Sequence, residues 1–423
     1  MIYKGRKALL NYKNKEILIL QLLSFTVVGG VGVFINFINL YLEQVVGFTG
    51  SQIGLVMMLS MGLVIVVNPI LGYIGDKTGK HILMLKLAFF LSTIFAFVYS
   101  QSNTFLVILI VAMLFEISRA CVAPFLDLIT LDYCETVGFD FGKVRVFASI
   151  GFLITVMSVG FMIAGVQIPW FNGRVIGFDG FLTIRTAVFG AIVILLGLSF
   201  ILMFFVPRPE DTKSKGDTEG KFNRNDIKLL LGNKNFQFMI VFIVLSLVAL
   251  EAAKSFVGNH LVEGLGSAEN IISLMTFMMV FPELILLPFG SKIIRKFGFR
   301  NWYLFTVLTM MGRLAIYSFT SNIALFAVVS LVHGIGVMTH VAGNIVFIRK
   351  VVEPKVLGLA FTIMTSVFAF SRAVMSFIYG MLYERFDGFA VFRLATVLLF
   401  CGFLWTLNSK CLKEVGDEIT AIT

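Results

Sequence analysis

Charged side chains are scarce in this sequence. Only 14% of the 423 residues are Asp, Glu, Lys or Arg, whereas 58% are hydrophobic. A typical soluble domain has about 25% charged residues, so this chain needs a nonpolar solvent around it. A soluble enzyme and a protein with a single membrane anchor are both excluded, because twelve transmembrane helices of about 20 residues each would fit in the chain and leave room for loops.

Residues that usually build metal centres, disulfides and nucleotide sites are also few or dispersed. The four cysteines contain no CxxC pair, the four histidines contain no HExxH motif, and no P-loop occurs. No nucleophile, base and orienting residue can be assembled into a catalytic set. We therefore expect no metal, no cofactor and no enzymatic activity.

Basic residues give the chain a net charge of +10 and lie in short loops. Besides those before the first apolar run, clusters occur at 77–80, 208–234, 292–300 and 349–355, while the loops between them carry few bases apart from Arg174. This alternation follows the positive-inside rule and predicts an even number of spans in the cell membrane, with both termini cytoplasmic. No nucleic-acid partner is expected.

The apolar runs divide into six before and six after a polar stretch rich in helix breakers. The predicted spans are 17–43, 52–75, 82–101, 104–130, 145–166, 182–206, 237–262, 270–290, 302–319, 323–349, 357–383 and 389–409. We predict an all-α membrane protein with twelve transmembrane helices in two six-helix bundles. Residues 1–206 would form the N-terminal bundle, 207–235 a cytoplasmic linker and 236–423 the C-terminal bundle.

The loop after the second span combines glycines with an acid and a base. Gly72, Asp76, Gly79 and Lys80 form this pattern, and glycines with basic residues recur after the eighth span, as expected of a duplicated transporter. The first loop resembles the signature loop of the major facilitator superfamily. This resemblance implies the major facilitator fold, a central cavity, alternating access and a gating role for the loop.

Several ionisable residues lie inside the predicted spans, where each costs about 2.5–3.5 kcal/mol. They are Glu116, Arg119, Asp127, Arg145, Glu251, Lys254, Glu283, Arg313, His333, His340 and Arg372. Glu116 and Asp127 are about three turns apart on one face, with Arg119 about one turn from Glu116. This inventory is typical of a polar cavity rather than of a passive anchor.

Helical spacing sorts some of these residues into pairs. Arg145 and Phe152 are about two turns apart, so one face presents a cation that can bind hydroxyls beside a ring that can pack on the apolar side of a sugar. Glu251 and Lys254 are expected to neutralise each other in a network between helices that includes Arg372.

The segment 123–152 resembles the region of helices four and five in the oligosaccharide:proton symporters, the lactose permease family. It has an Ala-Pro step, a carboxylate three residues after the proline, the pattern Phe-x-Phe-Gly-x-x-Arg, and an aromatic residue seven positions later. The resemblance implies that Asp127 and Arg145 grip sugar hydroxyls and that Phe152 replaces a stacking tryptophan. A structural salt bridge between Asp127 and Arg145 is the alternative.

Three residues of the second half resemble the functional positions of helices eight, nine and ten in the same family. Glu283 and His333 would contribute to substrate binding, and Arg313 would act in proton coupling. His333 is alternatively a satisfied polar residue between helices, and a structural role is expected for His340.

The sequence departs from the family where the proton-carrying glutamate would stand, three residues after the histidine. Gly336 occupies this position. Another carboxylate must then carry the proton, and a neighbouring arginine would hold or release it electrostatically. The candidates for proton coupling are Glu283, Arg313, Glu116, Arg119 and Asp127.

We therefore predict a monomeric secondary transporter in the lipid bilayer that takes up a sugar, either a disaccharide or a small glycoside, together with a proton. A nucleoside:proton symporter is the first alternative. A drug:proton antiporter is less favoured because span five lacks a Gly-Pro kink motif. A sensor that does not transport or a lipid-handling protein is disfavoured by the many polar residues assigned to the cavity.

Overall fold

The computed structural model describes residues 2–165, 180–206, 224–286, 289–353 and 356–409. Over these ranges the chain is helical and contains no strand. Nine continuous helical stretches of the described residues, two of which join more than one of the helices given below, are long and apolar enough to cross a membrane. Two shorter stretches, Asn270–Leu286 and Ile323–Met338, are also apolar. The protein is therefore an all-helical, multi-pass membrane protein, while the count of twelve spans stays a prediction.

The described chain divides into two compact units. Unit 1 contains residues 2–47, 59–165 and 180–206, and unit 2 contains 48–58 and the described residues from 224 onwards. The helices that begin before residue 200 are α1 (Ile2–Tyr41), α2 (Gly50–Thr78), α3 (His81–Gln101), α4 (Phe105–Arg119), α5 (Val122–Val137), α6 (Phe141–Ala164) and α7 (Ile184–Leu202). Each of the first six predicted spans falls on one or two of them.

The core of unit 1 forms where α1 packs against α6 and α7. The two backbones of α1 and α6 approach closely at Gly151, where a Cβ atom would lie only 2.3 Å from the carbonyl oxygen of Phe25. The Thr155 hydroxyl then donates across the same contact to the carbonyl of Gly29 at 3.0 Å. Any larger residue at 151 would force the helices apart.

The predicted fourth span, 104–130, is broken into α4 and α5. Pro124 lies in the first turn of α5, and because proline has no N–H and its ring clashes with the carbonyl four residues earlier, the helix is interrupted at 120–121. The helical stretch continues past the predicted end to Val137, where Gly138 adopts a left-handed φ of 70° and terminates it.

Most of the predicted linker, residues 207–223, lies outside the described residues, and the part that follows is helical. The later helices are α8 (Arg224–Gly232), α9 (Lys234–Phe242), α10 (Ala249–Lys254), α11 (Val257–Asn259), α12 (Asn270–Leu286), α13 (Gly290–Phe297), α14 (Phe299–Tyr317), α15 (Ile323–Ser330), α16 (His333–Met338), α17 (Asn344–Val351), α18 (Leu357–Arg385) and α19 (Gly388–Leu407). All of them belong to unit 2.

Two predicted spans of unit 2 are irregular helices. Span seven contains the π-helical segment Ile243–Val248 and its predicted end falls within another, His260–Gly264, while span ten contains Thr339–Gly343. Single π-helical turns change the direction of the side chains that follow and are frequent at functional sites. The core of the unit packs α14 against α19, α12 against α16 and α10 against α18.

Candidate functional site

The predicted pair Asp127 and Arg145 is brought together within unit 1. Asp127 lies on α5 and Arg145 on α6, and the Nη1 atom of Arg145 is 3.4 Å from Oδ1 of Asp127. The side chains are about half exposed, 46% for Asp127 and 53% for Arg145. Because 3.4 Å is long for a charged hydrogen bond, most of the donor and acceptor capacity of this pair remains available to a ligand.

Phe152 lies on α6, seven residues after Arg145, with its ring against α1. A Cβ atom at Gly32 would lie 2.7 Å from Cδ2 of this ring, so the absence of a side chain at Gly32 makes room for it. The Phe152 side chain is partly exposed. It therefore offers apolar surface on the helix that carries the guanidinium, and its stacking role stays a prediction.

Glu116 and Arg119 form a closed ion pair on α4. The Nε and Nη2 atoms of Arg119 donate to the two carboxylate oxygens of Glu116, at 3.0 and 2.7 Å. The guanidinium also lies over the rings of Phe34 and Phe115, 5.3 and 5.6 Å from their centroids. Glu116 is buried, so both of its oxygens are occupied and shielded.

The predicted gating loop is shorter in the structure than in the sequence pattern. Residues Gly72 to Thr78 form the last turns of α2, and only Gly79 and Lys80 connect it to α3. Gly79 adopts a φ of 64°, which favours glycine at the sharp turn. The backbone of Asp76 is helical, and its side chain lies outside the described part of the structure.

Arg313 and His333 are hydrogen-bonded in the interior of unit 2. The Nη1 atom of Arg313, on α14, is 2.7 Å from Nδ1 of His333, on α16, and the residues are only 2% and 3% exposed. A guanidinium has donors only, so Nδ1 must accept and the histidine proton must sit on Nε2. His333 is thus held as a neutral tautomer in this arrangement.

The predicted charge network lies in the same unit. Lys254, Arg372 and Arg313 all act electrostatically on the carboxylate of Glu251, with Lys254 the strongest of the three. The Nε atoms of Arg313 and Arg372 are buried and have no hydrogen-bond partner among the described residues. The cluster therefore holds more donors than its own acceptors satisfy.

Glu283 lies on α12 beside this network. Its side chain is partly exposed and interacts electrostatically with Lys254 and Glu251. The backbones of α12 and α16 approach closely here. A Cβ atom at Gly334 would lie only 2.6 Å from the backbone nitrogen of Glu283. Since Gly334 follows His333 directly, the contact places Glu283 against the helix that carries the histidine.

Gly336 is buried against a methionine. A Cβ atom at this position would come within 2.9 Å of the sulfur of Met310. A larger side chain at this position would therefore require the Met310 side chain to move.

Three polar contacts in the described part of the structure have no motif in the sequence that predicts them. Tyr133 on α5 donates a hydrogen bond to the carboxylate of Glu16 on α1. In unit 2, the Tyr303 hydroxyl donates to Oδ1 of Asn344 at 2.9 Å, and the amide of Asn344 lies 3.5 Å from Nδ1 of His340. The i, i+4 spacing of His340 and Asn344 is a sequence signal for the contact between those two residues, whereas Tyr303 comes from a distant helix and its contact has no such signal.

A family comparison decides the assignment. The sequence matches the model of the MFS_1 like family over residues 17–394, most of the chain. The chain belongs to the MFS_1 like family. This confirms the membership of the major facilitator superfamily that the signature loop suggested. Among the described residues of this major facilitator protein, no three His, Cys, Asp or Glu side chains are grouped as a metal site requires.

Relatives and solved structures of the superfamily match along nearly the whole chain. The maltose permease of Geobacillus stearothermophilus is 21% identical over 95% of this chain and 96% of its own. The crystal structure of the nucleoside transporter NupG matches with a TM-score of 0.78 at 17% identity, over 93% of this chain and 99% of NupG. The D-xylose-proton symporter matches with a TM-score of 0.67 at 15% identity, over 93% and 96%. The protein is therefore a transporter of this superfamily by family and fold.

Proposed function

We propose that the protein takes up a sugar, either a disaccharide or a small glycoside, together with a proton. The Asp127–Arg145 pair carries this proposal. Sugar hydroxyls both donate and accept hydrogen bonds, and a half-exposed carboxylate beside a half-exposed guanidinium offers both functions within 3.4 Å. A pair with this exposure gains little stability from its own contact, so a purely structural role is a weak explanation of it.

Phe152 completes the proposed sugar site on the apolar side. The C–H face of a sugar packs on an aromatic ring, and the ring of Phe152 stands two turns from the guanidinium of Arg145 on one helix. Phenylalanine keeps the apolar face of the tryptophan in the resembling family but lacks the N–H donor. The similarity to a maltose permease supports the choice of a sugar.

Proton coupling is proposed for unit 2, with Glu283 as the residue that takes up the proton. Glu283 is repelled by Glu251 and attracted by Lys254, so a proton on Glu283 changes its interaction with both charges of the network. Glu116 is a weaker choice because Arg119 occupies both of its oxygens. We expect the proton to bind before the sugar, since moving a bare charge through an occluded state would be costly.

A nucleoside is the second candidate substrate. Ribose hydroxyls need the same donors and acceptors as a sugar, and NupG shares the fold along 93% of this chain. The pair Asp127 and Arg145 would then bind the ribose rather than a glycoside.

The wider proposal is alternating access in the cell membrane. Both termini would be cytoplasmic, the protein would act as a monomer without cofactor, and His333 would join Glu283 at the substrate. The chain would be a transporter and not an enzyme, because its polar residues serve binding and proton transfer rather than a catalytic set.

The experiment that tests this proposal is a proton-influx assay. De-energised cells that express the protein, in lightly buffered medium, receive maltose, other disaccharides, monosaccharides and nucleosides one at a time. Alkalinisation after a glycoside supports sugar:proton symport. If only a nucleoside causes alkalinisation, the substrate is a nucleoside, the second candidate. If none of these compounds causes alkalinisation, the proposal is contradicted.

A further inference from the structure

Lys86 is a charged residue of the predicted third span that the proposed transport does not use. It lies on α3, five residues after the start of this helix at His81, which is about 7.5 Å along the helix axis. The nearest turns of the same face carry the exposed apolar side chains of Leu83, Leu87 and Phe90. Lys86 is itself partly exposed. It therefore lies on the lipid-facing side of α3 and not in the interior of unit 1.

No carboxylate balances the charge of Lys86 in the described part of the structure. Residues 81–101 and 184–206, which contain α3 and α7, include no Asp or Glu. The ion pairs between described residues do not involve Lys86. A charged side chain inside a membrane span is costly unless it is paired or reaches the interface. The ammonium group of Lys86 therefore needs an anion at the level of the lipid headgroups.

The contact that Lys86 does make crosses from α3 to the end of α7. Its Nζ atom is 4.2 Å from the centroid of the Phe204 ring, which follows the end of α7 by two residues. The Phe204 centroid is 5.2 Å from that of Phe200, and the Phe200 centroid is 5.6 Å from that of Phe90 on α3. Phe204 is 60% exposed. The contact fixes the ammonium group beside a row of rings between the two helices.

The ring of Phe204 satisfies the ammonium group only in part. Its face attracts a cation but carries no net charge, so the three N–H donors of the lysine remain available to a stronger acceptor. Phosphate oxygens are such acceptors, and lysine is a common phosphate binder. The groove between α3 and α7, lined by Lys86, Phe90, Phe200 and Phe204, therefore combines a phosphate-binding cation with an apolar wall.

The order of polar and apolar groups along this groove matches that of a phospholipid. Lys86 is nearer than Phe90 to the start of α3, which follows the basic cluster 77–80, and Phe204 is nearer than Phe200 to the linker. This end of unit 1 is predicted to be cytoplasmic. A lipid of the inner leaflet would place its phosphate at Lys86 and an acyl chain along the rings of Phe90 and Phe200, deeper in the membrane.

We propose that the groove between α3 and α7 binds an anionic phospholipid of the inner leaflet through its phosphate. An anionic headgroup fits better than a zwitterionic one, because a zwitterion brings its own cation and neither helix has an acid to receive it. The bound lipid would join two helices of unit 1 from the outside. It takes no part in substrate binding, so this inference does not depend on the proposed function.

The test measures lipid binding to the full-length protein in detergent by native mass spectrometry, with no sugar or nucleoside present. The probes are palmitoyl-oleoyl phosphatidylglycerol and the phosphatidylcholine with the same two chains, so only the headgroup differs. For the most tightly bound lipid, we expect the wild type to prefer phosphatidylglycerol by about tenfold. Lys86→Gln should lose this preference and bind the two lipids alike, whereas Lys86→Arg should keep it.

Lys77→Gln is the matched control. Lys77 is exposed at the same predicted end, and its Nζ atom is 5.7 Å from the ring of Tyr73 on its own helix, so this variant removes an equal charge without changing the groove. Its preference for phosphatidylglycerol should stay within about twofold of the wild type. Phe204→Leu keeps the charge but removes the ring that positions it, and should weaken the preference about two- to fivefold.

Three results would overturn the lipid site. An unchanged preference in Lys86→Gln and Phe204→Leu excludes the groove, and Phe204→Leu alone decides if Lys86→Gln does not fold. An equal loss in Lys77→Gln shows that the charge of the whole end, and not this groove, attracts the lipid. Equal binding of both lipids by the wild type shows unselective lipid contact only. The proposed symport survives each of these results, because the assay contains no substrate.

Discussion

Unit 1 leaves Asp127 and Arg145 about half exposed and 3.4 Å apart, whereas unit 2 buries Arg313 and His333 almost completely and joins them at 2.7 Å. The first arrangement has unused donors and acceptors at an accessible surface. The second has its unused donors, the Nε atoms of Arg313 and Arg372, in a buried environment. From this contrast we propose that Asp127 and Arg145 of unit 1 bind the substrate hydroxyls, whereas unit 2 takes up the proton and supplies the further substrate contacts proposed for Glu283 and His333.

The largest effect on substrate affinity among these variants is expected from Arg145→Lys. Lysine keeps the charge but loses the planar fork that can bind two hydroxyls at once. Charged hydrogen bonds contribute about 1.5–3 kcal/mol, so substrate affinity should fall by about 10- to 100-fold in a binding assay. Arg185→Lys is the control in the same unit, because Arg185 donates to Asn103 at 2.7 Å and is not in the proposed site. Equal substrate affinity in the two variants would show that Arg145 does not bind the substrate.

A second prediction concerns Glu283→Gln in unit 2. The amide cannot take up a proton, so accumulation against a gradient of about one pH unit should fall about tenfold, to equilibration. Exchange of labelled substrate should continue, since it needs no proton release. Glu263→Gln is the control, because Glu263 is an exposed acid of the same unit. Full accumulation by Glu283→Gln would show that another carboxylate takes up the proton.

The smallest effect on transport is expected from Glu116→Gln. Arg119 already donates to both oxygens of Glu116, so this carboxylate is not the one we propose for proton uptake. Accumulation per folded molecule should change by less than about twofold, although the loss of one partner of a buried pair should lower the melting temperature of the purified protein. A loss of coupling as large as that of Glu283→Gln would instead place proton uptake in unit 1.

Much of the helical architecture could be predicted from the sequence, because transmembrane helices require long apolar runs. Helices α2, α3, α6, α7, α12, α14, α18 and α19 each begin and end close to the bounds of one predicted span, whereas the remaining helices are shorter segments of a span or lie partly or wholly outside the spans. The irregularities could not be predicted: the break before Pro124 and the π-helical segment Thr339–Gly343 depend on local backbone hydrogen bonding, which hydropathy does not report. The loop at Gly79 is likewise shorter in the structure than the sequence pattern predicts.

The candidate site was only partly predictable, for a different physical reason. Pairs on one helix, such as Glu116 and Arg119, follow from the spacing alone. Asp127 and Arg145 lie on separate helices, so only the resemblance to a family linked them before the structure did. The contact from Tyr303 to Asn344 has neither a helical spacing nor a family motif behind it, and it emerges only when α14 and α17 pack together.

The central claim is that Asp127 binds the substrate, and direct binding to purified Asp127→Asn tests it best. Binding of maltose, or of a nucleoside if the influx assay selects one, would be measured by titration calorimetry. Asp132→Asn is the control, since Asp132 lies five residues further along α5, on another face of the helix. We predict that Asp127→Asn abolishes binding while Asp132→Asn and the wild type bind alike. Normal affinity in a folded Asp127→Asn protein would contradict the site.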